Sequence, residues 1–432
     1  MQIMVIGLGY VGSVAAAGLA STGHRVDGVD IDQSKIDSLK NNILPIKEPG
    51  LGETIAEASL KGNLRFSHIN EIDKIDQDIV FICVGTPYIE GKGCDRSQVY
   101  KTIEWIKNKA SEKPLTIVMK STVPPGTGGD IIKNHLESCA GKYYYVMNPE
   151  FLREGRAMHD WFHPDRTVVG GCNDRAVDII SDLYKGSGAP VLKTDITSAE
   201  MIKYAANAYL AARISFINEI AGLCERFNAD IDTVAKGIGL DNRIGLHFLH
   251  AGVGYGGSCF PKDTRALHHI CSSNGIDFDL LKSVITVNNR QRSLAVAKLK
   301  NKLGKLKKLK IAVLGLAFKP DTDDVRESPA LDIIKALHKE GAVISAYDPM
   351  AIDKAAAALP LNIRYSQSAA DALKGACAVL LVTEWREFID LDWQGAKELM
   401  TEPFVVVDGR NCLQKEKLLN LGFDYTGFGR SS

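Results

Sequence analysis

The sequence predicts an α/β protein in which two doubly wound domains with parallel sheets are joined by a long central helix. Three observations predict this class. Short apolar runs alternate with amphipathic segments in the first third of the 432-residue chain, a long helical stretch begins near Thr197, and a second alternating pattern begins at Lys310. Because a chain of this length is too long to fold around one hydrophobic core, we expect three domains, at residues 1–196, 197–302 and 303–432.

The first domain contains apolar runs that are typical of buried parallel strands. Such strands are covered on both faces and therefore read as nearly continuous apolar sequence. The segments between the runs have helical periodicity, which predicts βαβ units. The runs are Ile3–Gly7, Arg25–Asp30, Asp78–Val84, Leu115–Lys120 and Tyr143–Met147.

The central domain is predicted to be helical. Thr197 and Glu200 have the spacing of a capping box, and the sequence that follows contains no proline for about six turns. Lys203 and Asn207 lie four residues apart and therefore share a face of this helix. The lysine-rich stretch Lys298–Lys310 is either a polyanion site or a solvated helix end with a linker, and the balanced charge of the chain favours the second.

The last domain repeats the strand–helix pattern of the first. Its turn Val313–Pro320 aligns with Val5–Gly12, but Ala317 and Pro320 replace the second and third glycines. We therefore expect looser backbone contact with a pyrophosphate in this domain and an added cation, Lys319. The strand-like stretches are Lys310–Pro320, Ala342–Pro349, Ala376–Trp385 and Phe404–Asn411.

Composition excludes several classes of function. Lysine plus arginine equals aspartate plus glutamate at 52 each, so no overall field attracts the chain to nucleic acid or to a membrane surface. No apolar run approaches membrane-spanning length, and the N-terminus is too short and too rich in glycine for a signal peptide, which predicts a cytoplasmic protein. The histidines lack the spacing of a metal site, so no metal is expected.

The cysteines predict reduced thiols in a reducing compartment, because they are scattered and form no C-x-x-C pair. Their number is nine, which is odd and so does not suit a disulfide framework. They are Cys83, Cys94, Cys139, Cys172, Cys224, Cys259, Cys271, Cys377 and Cys412.

A glycine motif predicts a dinucleotide site in the first domain, which we therefore expect to be Rossmann-like. Gly7, Gly9 and Gly12 form G-x-G-x-x-G between a predicted strand and a predicted helix, a pattern that permits close approach of the backbone to a pyrophosphate. Asp30 ends the next strand, where a carboxylate accepts hydrogen bonds from ribose hydroxyls and repels a 2′-phosphate. NAD is therefore favoured over NADP. Asp32 is a rival for this role, but the strand phase favours Asp30.

Loops at later strand ends are expected to border the cofactor or the substrate, because ligands of open α/β sheets bind beyond the carboxyl ends of strands. Val84–Pro87 and Lys120–Thr127 are two such loops. Thr122 in the second loop is able to orient a water or a sugar hydroxyl, and an ordinary threonine turn is the alternative. The loop after the next strand supplies two carboxylates, Glu150 and Glu154.

The stretch Gly254–Asp263 indicates a reactive thiol. Its glycines allow a ligand to approach Cys259, and a helix that begins near Phe260 would favour the thiolate through its dipole, together with Lys262. Asp263 lies within one turn and is able to orient a water. A thiolate and NAD together suit a full oxidation, in which an aldehyde becomes a thiohemiacetal, loss of hydride leaves a thioester, and water releases an acid.

Together these stretches resemble the nucleotide-sugar 6-dehydrogenases, the UDP-glucose/GDP-mannose dehydrogenase family. The resemblance covers essentially the whole chain, and so many ordered motifs are highly specific. It implies oxidation of the C6 alcohol of a nucleotide sugar to a carboxylate, with two NAD per turnover and no metal. The motifs are GLGYVG (7–12), VGTP (84–87), KSTVPPGT (120–127), NPEFLREG (148–155), PDRTVVGG (164–171), GGSCFPKD (256–263), GLAFKPDTDDVRESPA (315–330), DGRN (408–411) and YTGFGR (425–430).

The resemblance also implies a role for individual residues. The implied catalytic groups are Cys259 as nucleophile, Lys203 and Asn207 at the oxyanion, Asp263 and Thr122 at a water, and Glu150 in thioester hydrolysis. The implied cofactor contacts are Gly7, Gly9, Tyr10, Val11, Gly12, Asp30, Lys35, Thr86, Thr122, Glu154, Lys262 and Arg326. The implied substrate contacts are Glu150, Phe151, Leu152, Arg153, Glu154, Lys203, Asn207, Arg243, Phe248, Tyr255, Gly256, Cys259, Phe260, Lys319 and Arg410.

The resemblance further points to a substrate and an assembly. The stretch Asn148–Gly171 and the ending Tyr425–Arg430 resemble the UDP-glucose branch, and Ser258 stands where enzymes for N-acetylhexosamines typically carry histidine. GDP-mannose or a UDP-N-acetylhexosamine is the alternative substrate. Arg243 matches a family arginine that reaches a neighbouring subunit's substrate site, which implies a homodimer formed through a helical dimerisation segment.

The residues alone leave two other functions open. A simple two-electron dehydrogenase on the same domains would not need Cys259 and would release a ketone or an aldehyde. A sensor of NAD or of a nucleotide would be expected to have a broken catalytic set, whereas the cysteine, lysine, asparagine and aspartate are all present.

Overall fold

The structure is a computed structural model that describes residues 1–44, 46–137 and 141–430, so that Cys139 lies outside the described residues. The chain forms two compact units, Met1–Ala206 and Asn207–Ser432, and the boundary falls inside one long helix. The division into three domains stays a prediction. The predicted class is confirmed: each unit contains an α/β sheet, and the long helix joins them.

The described residues of the first unit form an eight-stranded sheet and a separate hairpin, β5 with β6. The strands are β1 Gln2–Ile6, β2 Arg25–Asp30, β3 Leu64–His68, β4 Ile79–Ile82, β5 Tyr88–Ile89, β6 Gly93–Cys94, β7 Leu115–Met119, β8 Tyr143–Met147, β9 Thr167–Gly171 and β10 Val191–Thr194. Their order in the sheet is β10-β9-β8-β7-β4-β1-β2-β3. The pairs from β3 to β8 are parallel, and β9 is antiparallel to β8.

Apolar residues cover both faces of this sheet. Along β1, Ile3 and Val5 pack into one cluster, whereas Met4 and Ile6 pack into another. Successive side chains of a strand point to opposite faces, so a strand buried on both faces needs apolar residues at every position. The helices of this unit are α1 Tyr10–Ser21, α2 Gln33–Lys40, α3 Leu51–Leu60, α4 Ser97–Lys109, α5 Thr127–Ile131, α6 Ala157–Phe162, α7 Asp174–Asp182 and α8 Ile196–Phe227.

Helix α8 has 32 residues and begins before the predicted cap. The capping box at Thr197 is wrong, because the carboxylate of Asp195 accepts the hydrogen bond of Ser198 N–H (2.8 Å) and Thr197 already lies within the helix. Glu200, the other half of the predicted box, accepts hydrogen bonds from a distant loop at Gly126 instead (2.6 Å). A tertiary contact therefore replaced the local one.

The described residues of the second unit form a six-stranded sheet with the order β13-β12-β11-β14-β15-β16, and all of its pairs are parallel. The strands are β11 Lys310–Leu314, β12 Val343–Tyr347, β13 Arg364–Tyr365, β14 Ala378–Leu381, β15 Val405–Asp408 and β16 Asp424–Thr426. The helices are α9 Ile231–Gly239, α10 Phe260–Ser273, α11 Asp279–Leu303, α12 Pro329–Lys339, α13 Ile352–Ala358, α14 Ala369–Leu373, α15 Arg386–Ile389, α16 Trp393–Leu399 and α17 Lys415–Asn420.

The turn after β11 repeats the geometry of the turn after β1. Gly315 N–H donates to Tyr347 O at 2.8 Å, just as Gly7 N–H donates to Val29 O at 2.8 Å. The buried carboxylate of Asp348 then accepts the N–H groups that follow Gly315, those of Leu316 (2.7 Å) and Ala317 (3.0 Å). The first turn has the same bond at Leu8, whose N–H donates to Asp30 (2.7 Å), but its next residue is Gly9 where the second turn has Ala317. The expected loss of pyrophosphate contact in the second unit stays a prediction.

Candidate active site

The glycine turn of the first unit is shaped by close backbone contacts. Gly7 has a φ of +91°, and a Cβ added at Gly12 would lie 1.8 Å from Gly7 O, so a side chain there would push α1 away from β1. A Cβ at Gly9 would meet no atom within 4 Å, so the turn is open on that side. The N-terminus of α1 follows immediately, which is the arrangement that binds a pyrophosphate.

Asp30 lies beside this turn at the end of β2. Its buried carboxylate accepts hydrogen bonds from Leu8 N–H (2.7 Å) and Asp32 N–H (3.0 Å) and pairs with Lys35 Nζ (2.8 Å). The rival residue, Asp32, caps α2 by accepting from Ser34 N–H and Lys35 N–H. The structure therefore places Asp30 beside the glycine turn and uses Asp32 as a helix cap, and the contact of Asp30 with a ribose stays a prediction.

Two further loops of the first unit meet at the ends of neighbouring strands. Thr86 Oγ1 donates to Thr122 O (2.8 Å), and Ser121 Oγ donates to Val84 O (2.7 Å), so the loops after β4 and β7 are bonded together. These loops follow adjacent strands, as β4 pairs with β7. The predicted residues Thr86 and Thr122 are thus brought together at the carboxyl edge of the sheet.

The loop after β8 is bonded to the glycine turn and to α8. Gly155 N–H, which follows Glu154, donates to Tyr10 Oη at the start of α1 (2.6 Å). Glu150 Oε1 accepts from Lys203 Nζ on α8 (2.9 Å), and both side chains are buried. The first unit therefore contains all of the predicted cofactor residues except Lys262 and Arg326, and it contains three of the predicted catalytic ones, Thr122, Glu150 and Lys203.

The carboxylate of Glu150 is held ionised by its surroundings. Burial pushes the pKa of Glu150 upward, but the ammonium of Lys203 and the hydrogen bond from Leu152 N–H (2.6 Å) outweigh it, so the pKa lies below its ordinary value. Lys203 Nζ also lies 5.3 Å from the centre of the Phe151 ring. The neighbouring Arg153 is engaged by Asp160, with nitrogen–oxygen distances of 2.6 and 2.8 Å.

The sequence analysis gave no functional role to two buried ionisable groups of the first unit, Lys120 and Glu200. Lys120 Nζ donates to Asn148 Oδ1 (3.0 Å) and Tyr184 Oη (3.1 Å), and burial lowers its pKa to about 8. Burial raises the pKa of Glu200 to about 7, although its carboxylate accepts two backbone hydrogen bonds. In the sequence, Lys120 is a charged residue at a strand end and Glu200 is one among apolar helix positions. Both patterns are too common to identify a functional group.

The reactive stretch of the second unit has the predicted geometry at its helix. Helix α10 begins at Phe260, as expected, and Cys259 occupies the position before it, with Pro261 in the first turn. Asp263 is buried and accepts hydrogen bonds from Asn207 Nδ2 (2.6 Å) and Lys262 Nζ (2.5 Å). The thiol therefore sits at the positive end of a helix, within one turn of a buried carboxylate.

Aromatic residues surround the start of α10. The ring of Phe260 lies 5.8 Å from that of Tyr255 and 6.1 Å from that of Phe248, measured between centres. Gly256 packs on Glu327 O, where an added Cβ would lie at 2.4 Å. The predicted sugar-pocket residues Phe248, Tyr255, Gly256 and Phe260 are therefore gathered in one place.

Other predicted residues of the second unit bond to side chains or backbone groups of the protein itself, or pack on them. Arg243 is 89% exposed and pairs with Asp241 (2.6 Å). Arg326 pairs with Asp324 (2.6 Å), and Lys319 lies over the Phe318 ring at 5.4 Å. The guanidinium of Arg410 donates to backbone carbonyls, and its predicted contact with a sugar stays a prediction.

Metal sites and membrane-spanning helices are both absent among the described residues. Among them, no group of three or more histidine, cysteine, aspartate or glutamate side chains is arranged to hold a metal ion. No helix in the described part of the chain is both long and apolar enough to cross a membrane.

Family models match most of the chain in three consecutive parts. Residues 1–187 match the NAD binding domain of the UDP-glucose/GDP-mannose dehydrogenase family, 197–290 its central domain and 312–415 its UDP binding domain. The match extends through both units and includes the glycine turn, the stretch around Cys259 and Lys319.

Individual relatives agree with the family models. The UDP-glucose 6-dehydrogenase TuaD of Bacillus subtilis is 45% identical over 433 residues, which cover 99% of this chain and 93% of the relative. A second enzyme of that name from the same species, YwqF, is 43% identical over 435 residues, or 100% of this chain and 98% of the relative. A UDP-glucose dehydrogenase structure from Pyrobaculum islandicum matches with a TM-score of 0.92 at 37% identity, covering 100% and 98% of the two chains. The chain therefore belongs to the UDP-glucose/GDP-mannose dehydrogenase family and is an NAD-dependent dehydrogenase of nucleotide sugars.

Proposed function

We propose that the chain oxidises the C6 alcohol of UDP-glucose to the carboxylate of UDP-glucuronate, in two oxidations that use Cys259 as nucleophile. The observation that carries this proposal is the thiol at the start of α10, one turn from the buried carboxylate of Asp263. A two-electron dehydrogenase would have no use for such a thiol. The names of the relatives support UDP-glucose as substrate.

The first oxidation converts the C6 alcohol into an aldehyde. Bound NAD would supply the hydride acceptor for both oxidations. The chain binds the sugar and removes the hydroxyl proton, for which we assign a water oriented by Asp263, with Thr122 as its second predicted partner. The aldehyde stays bound, because the next step requires it at Cys259.

The second oxidation proceeds through sulfur. The Cys259 thiolate adds to the aldehyde carbon, so that a carbon–sulfur bond forms and the oxygen becomes an alkoxide. Lys203 and Asn207, one turn apart on α8, stabilise that negative oxygen. Loss of the second hydride turns the alkoxide into the carbonyl of a thioester.

Hydrolysis of the thioester completes the reaction. Water attacks the carbonyl carbon, the carbon–sulfur bond breaks, and the carboxylate and the Cys259 thiol are released. We assign Glu150 to this step as acceptor of the water's proton, because its pKa is held low and the carboxylate is ionised at neutral pH. Its bond to Lys203 keeps both groups oriented.

The nucleotide specificity rests on the second unit. We assign Lys319 to the nucleotide sugar, since it follows the turn after β11 at the carboxyl edge of that sheet. Ser258 supports UDP-glucose over a UDP-N-acetylhexosamine. The same chemistry on GDP-mannose or on a UDP-N-acetylhexosamine is the alternative function.

We also propose that the chain acts as a homodimer. Tyr209, Phe216 and Leu223 recur every seven residues along α8, so they lie along one side of the helix, and they are 62%, 54% and 54% exposed. Such a stripe of large apolar residues is typical of a surface that another protein covers. Arg243, which is exposed, is the residue we expect to reach the partner's substrate.

The proposal is tested by counting NADH formed for each UDP-glucose consumed to completion. We expect two NADH and one UDP-glucuronate for each substrate molecule, because both oxidations use NAD. GDP-mannose and UDP-N-acetylglucosamine serve as comparison substrates and should give far lower kcat/KM. One NADH with a released aldehyde would overturn the mechanism, and a higher kcat/KM for a comparison substrate would overturn the specificity.

A further inference from the structure

Lys120 is a buried lysine that directly follows β7 in the first unit, and it is 4% exposed. Its Nζ donates to Asn148 Oδ1 (3.0 Å) and to Tyr184 Oη (3.1 Å). The ammonium also lies 5.5 Å from the centre of the Trp161 ring. Because an apolar residue fills a buried space at a lower cost than a charged one, packing alone does not explain a lysine at this position.

Asn148 is the centre of the polar contacts around this lysine. Its Oδ1 accepts from Tyr184 Oη (2.6 Å) as well as from Lys120, and its Nδ2 donates to Val168 O (2.8 Å). Its backbone N–H donates to Met119 O at 2.9 Å. Asn148 is completely buried and is therefore fixed through its side chain and its backbone at once.

The fixed position of Asn148 is passed on to Glu150, the residue that we assign to thioester hydrolysis. Only Pro149 separates the two residues. A proline ring fixes its own φ and restricts the backbone of the residue before it, so this link is stiff. The Glu150 carboxylate then accepts from Leu152 N–H (2.6 Å) and Lys203 Nζ (2.9 Å), and both bonds require it at one place.

Lys120 also acts on Glu150 through its charge. The two residues line one pocket. Burial raises the pKa of Glu150, whereas the ammonium groups of Lys203 and Lys120 lower it. Burial lowers the pKa of Lys120 to about 8, so most molecules carry this charge at neutral pH. A neutral residue in place of Lys120 would therefore release Asn148 and also weaken the ionisation of Glu150.

We propose that Lys120 is a positioning residue, which together with Tyr184 holds Asn148 and thereby places the Glu150 carboxylate for hydrolysis of the thioester. The proposal rests on the proposed function, because it takes Glu150 as the acceptor of the water's proton. Lys120 acts through Asn148 and not on the reacting atoms. The two hydride transfers do not use Glu150 as proton acceptor, so the defect of a Lys120 variant should lie in the last step.

The first test is Lys120→Met, which keeps the bulk of the side chain and removes its charge and its N–H donors. With saturating UDP-glucose and NAD, we expect a burst of about two NADH per site and then a steady rate about tenfold or more below that of the wild type, because the thioester forms and is hydrolysed slowly. Intact-mass spectrometry of quenched samples should show the adduct on the chain. The Kd of UDP-glucose in calorimetry should not change.

Two further variants separate positioning from stability. Tyr184→Phe removes one hydroxyl and keeps the ring, so it should give the same adduct at a lower yield, and it decides the question if Lys120→Met does not fold. The matched control is Ile106→Ala, a cavity in the apolar core of this unit beneath the last turn of α4. It should lower the melting temperature without an adduct. Equal adduct in the control, or none in either of the first two variants, would overturn the proposal.

Hydrogen exchange tests the position of the loop without any turnover. The N–H groups of Leu152, Arg153 and Gly155 all donate to side chains of this unit. Lys120→Met should speed exchange in the peptide that contains them by about threefold or more relative to the other peptides, because the loop opens more often. Ile106→Ala should not single out this peptide.

Glu150→Gln separates the failure of this proposal from the failure of the proposed function. If Glu150→Gln accumulates the adduct while Lys120→Met shows neither an adduct nor faster exchange, the positioning role is wrong and the proposed function stands. If Lys120→Met speeds exchange of the loop while Glu150→Gln accumulates no adduct and keeps full turnover, the hydrolytic role of Glu150 fails and the placement of its loop by Lys120 stands.

Discussion

At the scale of single residues, the cysteines lie in different environments, which their sequence contexts do not reveal. Burial raises the pKa of Cys83 to about 12, and it also raises the pKa of Cys377 above its ordinary value. Cys259 instead lies at a helix N-terminus.

Cys259 is predicted to be needed only after the first hydride has left, because an alcohol requires no sulfur nucleophile. Cys259→Ser should keep the fold and the binding of UDP-glucose, and its hydroxyl should form an ester that hydrolyses more slowly than a thioester. Covalent product should then accumulate, which intact-mass spectrometry detects as a mass increase of the chain.

Two variants make this prediction decisive. Cys259→Ala cannot form the adduct and should yield neither the adduct nor steady production of UDP-glucuronate. Cys271→Ala, on the same helix but three turns further on, should retain wild-type turnover. Full turnover by folded Cys259→Ala would remove the nucleophile from the mechanism.

Asp30 is predicted to select NAD over NADP. Asp30→Ala removes the ribose acceptor and the negative charge that repels a 2′-phosphate, so the Kd of NAD should rise by about tenfold or more, and NADP should be less disfavoured. Titration calorimetry with both cofactors measures the two effects.

Asp32→Ala is the matched control for that measurement. Asp32 caps α2 through Ser34 N–H and Lys35 N–H, so its removal should lower the stability of the fold slightly without changing the choice of cofactor. If wild-type protein uses NADP as readily as NAD, the assignment of Asp30 is incorrect.

At the scale of elements, α8 organises the first unit through one of its faces. Glu200, Lys203 and Asn207 follow one another at three and four residues, so they share this face. Glu200 accepts from Gly126 N–H (2.6 Å) and Gly128 N–H (2.7 Å), next to the loop of Thr122. Adjacent turns of the helix thereby position the loop of Thr122, through Glu200, and Glu150, through Lys203.

Glu200 predicts a specific pH dependence of stability. Burial raises its pKa to about 7, so the folded chain holds this proton more tightly than the unfolded chain does. The stability from this proton is complete below the unfolded pKa of about 4.5 and is lost as the pH rises through about 7. Arg96 and Asp195 are the charged groups that act on Glu200, in opposite directions.

Glu200→Gln should therefore change the unfolding free energy differently at pH 5 and pH 8. The variant cannot ionise at this position. The unfolding free energy of the wild type minus that of the variant should therefore fall by on the order of 2 kcal/mol from pH 5 to pH 8. Urea unfolding at both pH values measures the difference, and Glu53→Gln, an exposed position on α3, should show no such change. An equal difference at both pH values would mean that Glu200 is already ionised at pH 5.

At the scale of the whole molecule, the proposed homodimer predicts that two inactive variants regain activity when their chains are mixed. Arg243→Ala should lose activity if this arginine completes the partner's site, and Cys259→Ala should lose it within its own site. Mixed dimers of the two variants contain one site with both residues intact. Mixing should therefore restore activity toward about a quarter of wild type, since random exchange yields half mixed dimers with one intact site of two.

Subunit exchange must be demonstrated in the same sample, by mass spectrometry of differently tagged chains. Leu223→Asp on the exposed stripe of α8 provides the second measurement, because a buried charge should disrupt the dimer in analytical ultracentrifugation. Mixed dimers without activity would show that Arg243 acts within its own chain.

The sequence alone determined the class of the fold and much of the candidate site. Strands buried on both faces need unbroken apolar runs, and β1, β2, β4 and β7 appear where those runs predicted them. The turn Gly7–Gly12 and the helix start at Phe260 depend on local backbone chemistry, which a short stretch of sequence specifies.

Only the tertiary structure decided which polar groups bond each other. Thr197 and Glu200 have the spacing of a cap, yet the Glu200 carboxylate bonds a loop that is distant in sequence, and Asp195 caps the helix. Arg410, which the sequence predicts to contact the sugar, also donates to three backbone carbonyls, and no local pattern pointed to these bonds. A buried charge takes the partners that the fold places around it, and those partners lie far apart in the chain, so no local pattern is able to specify them.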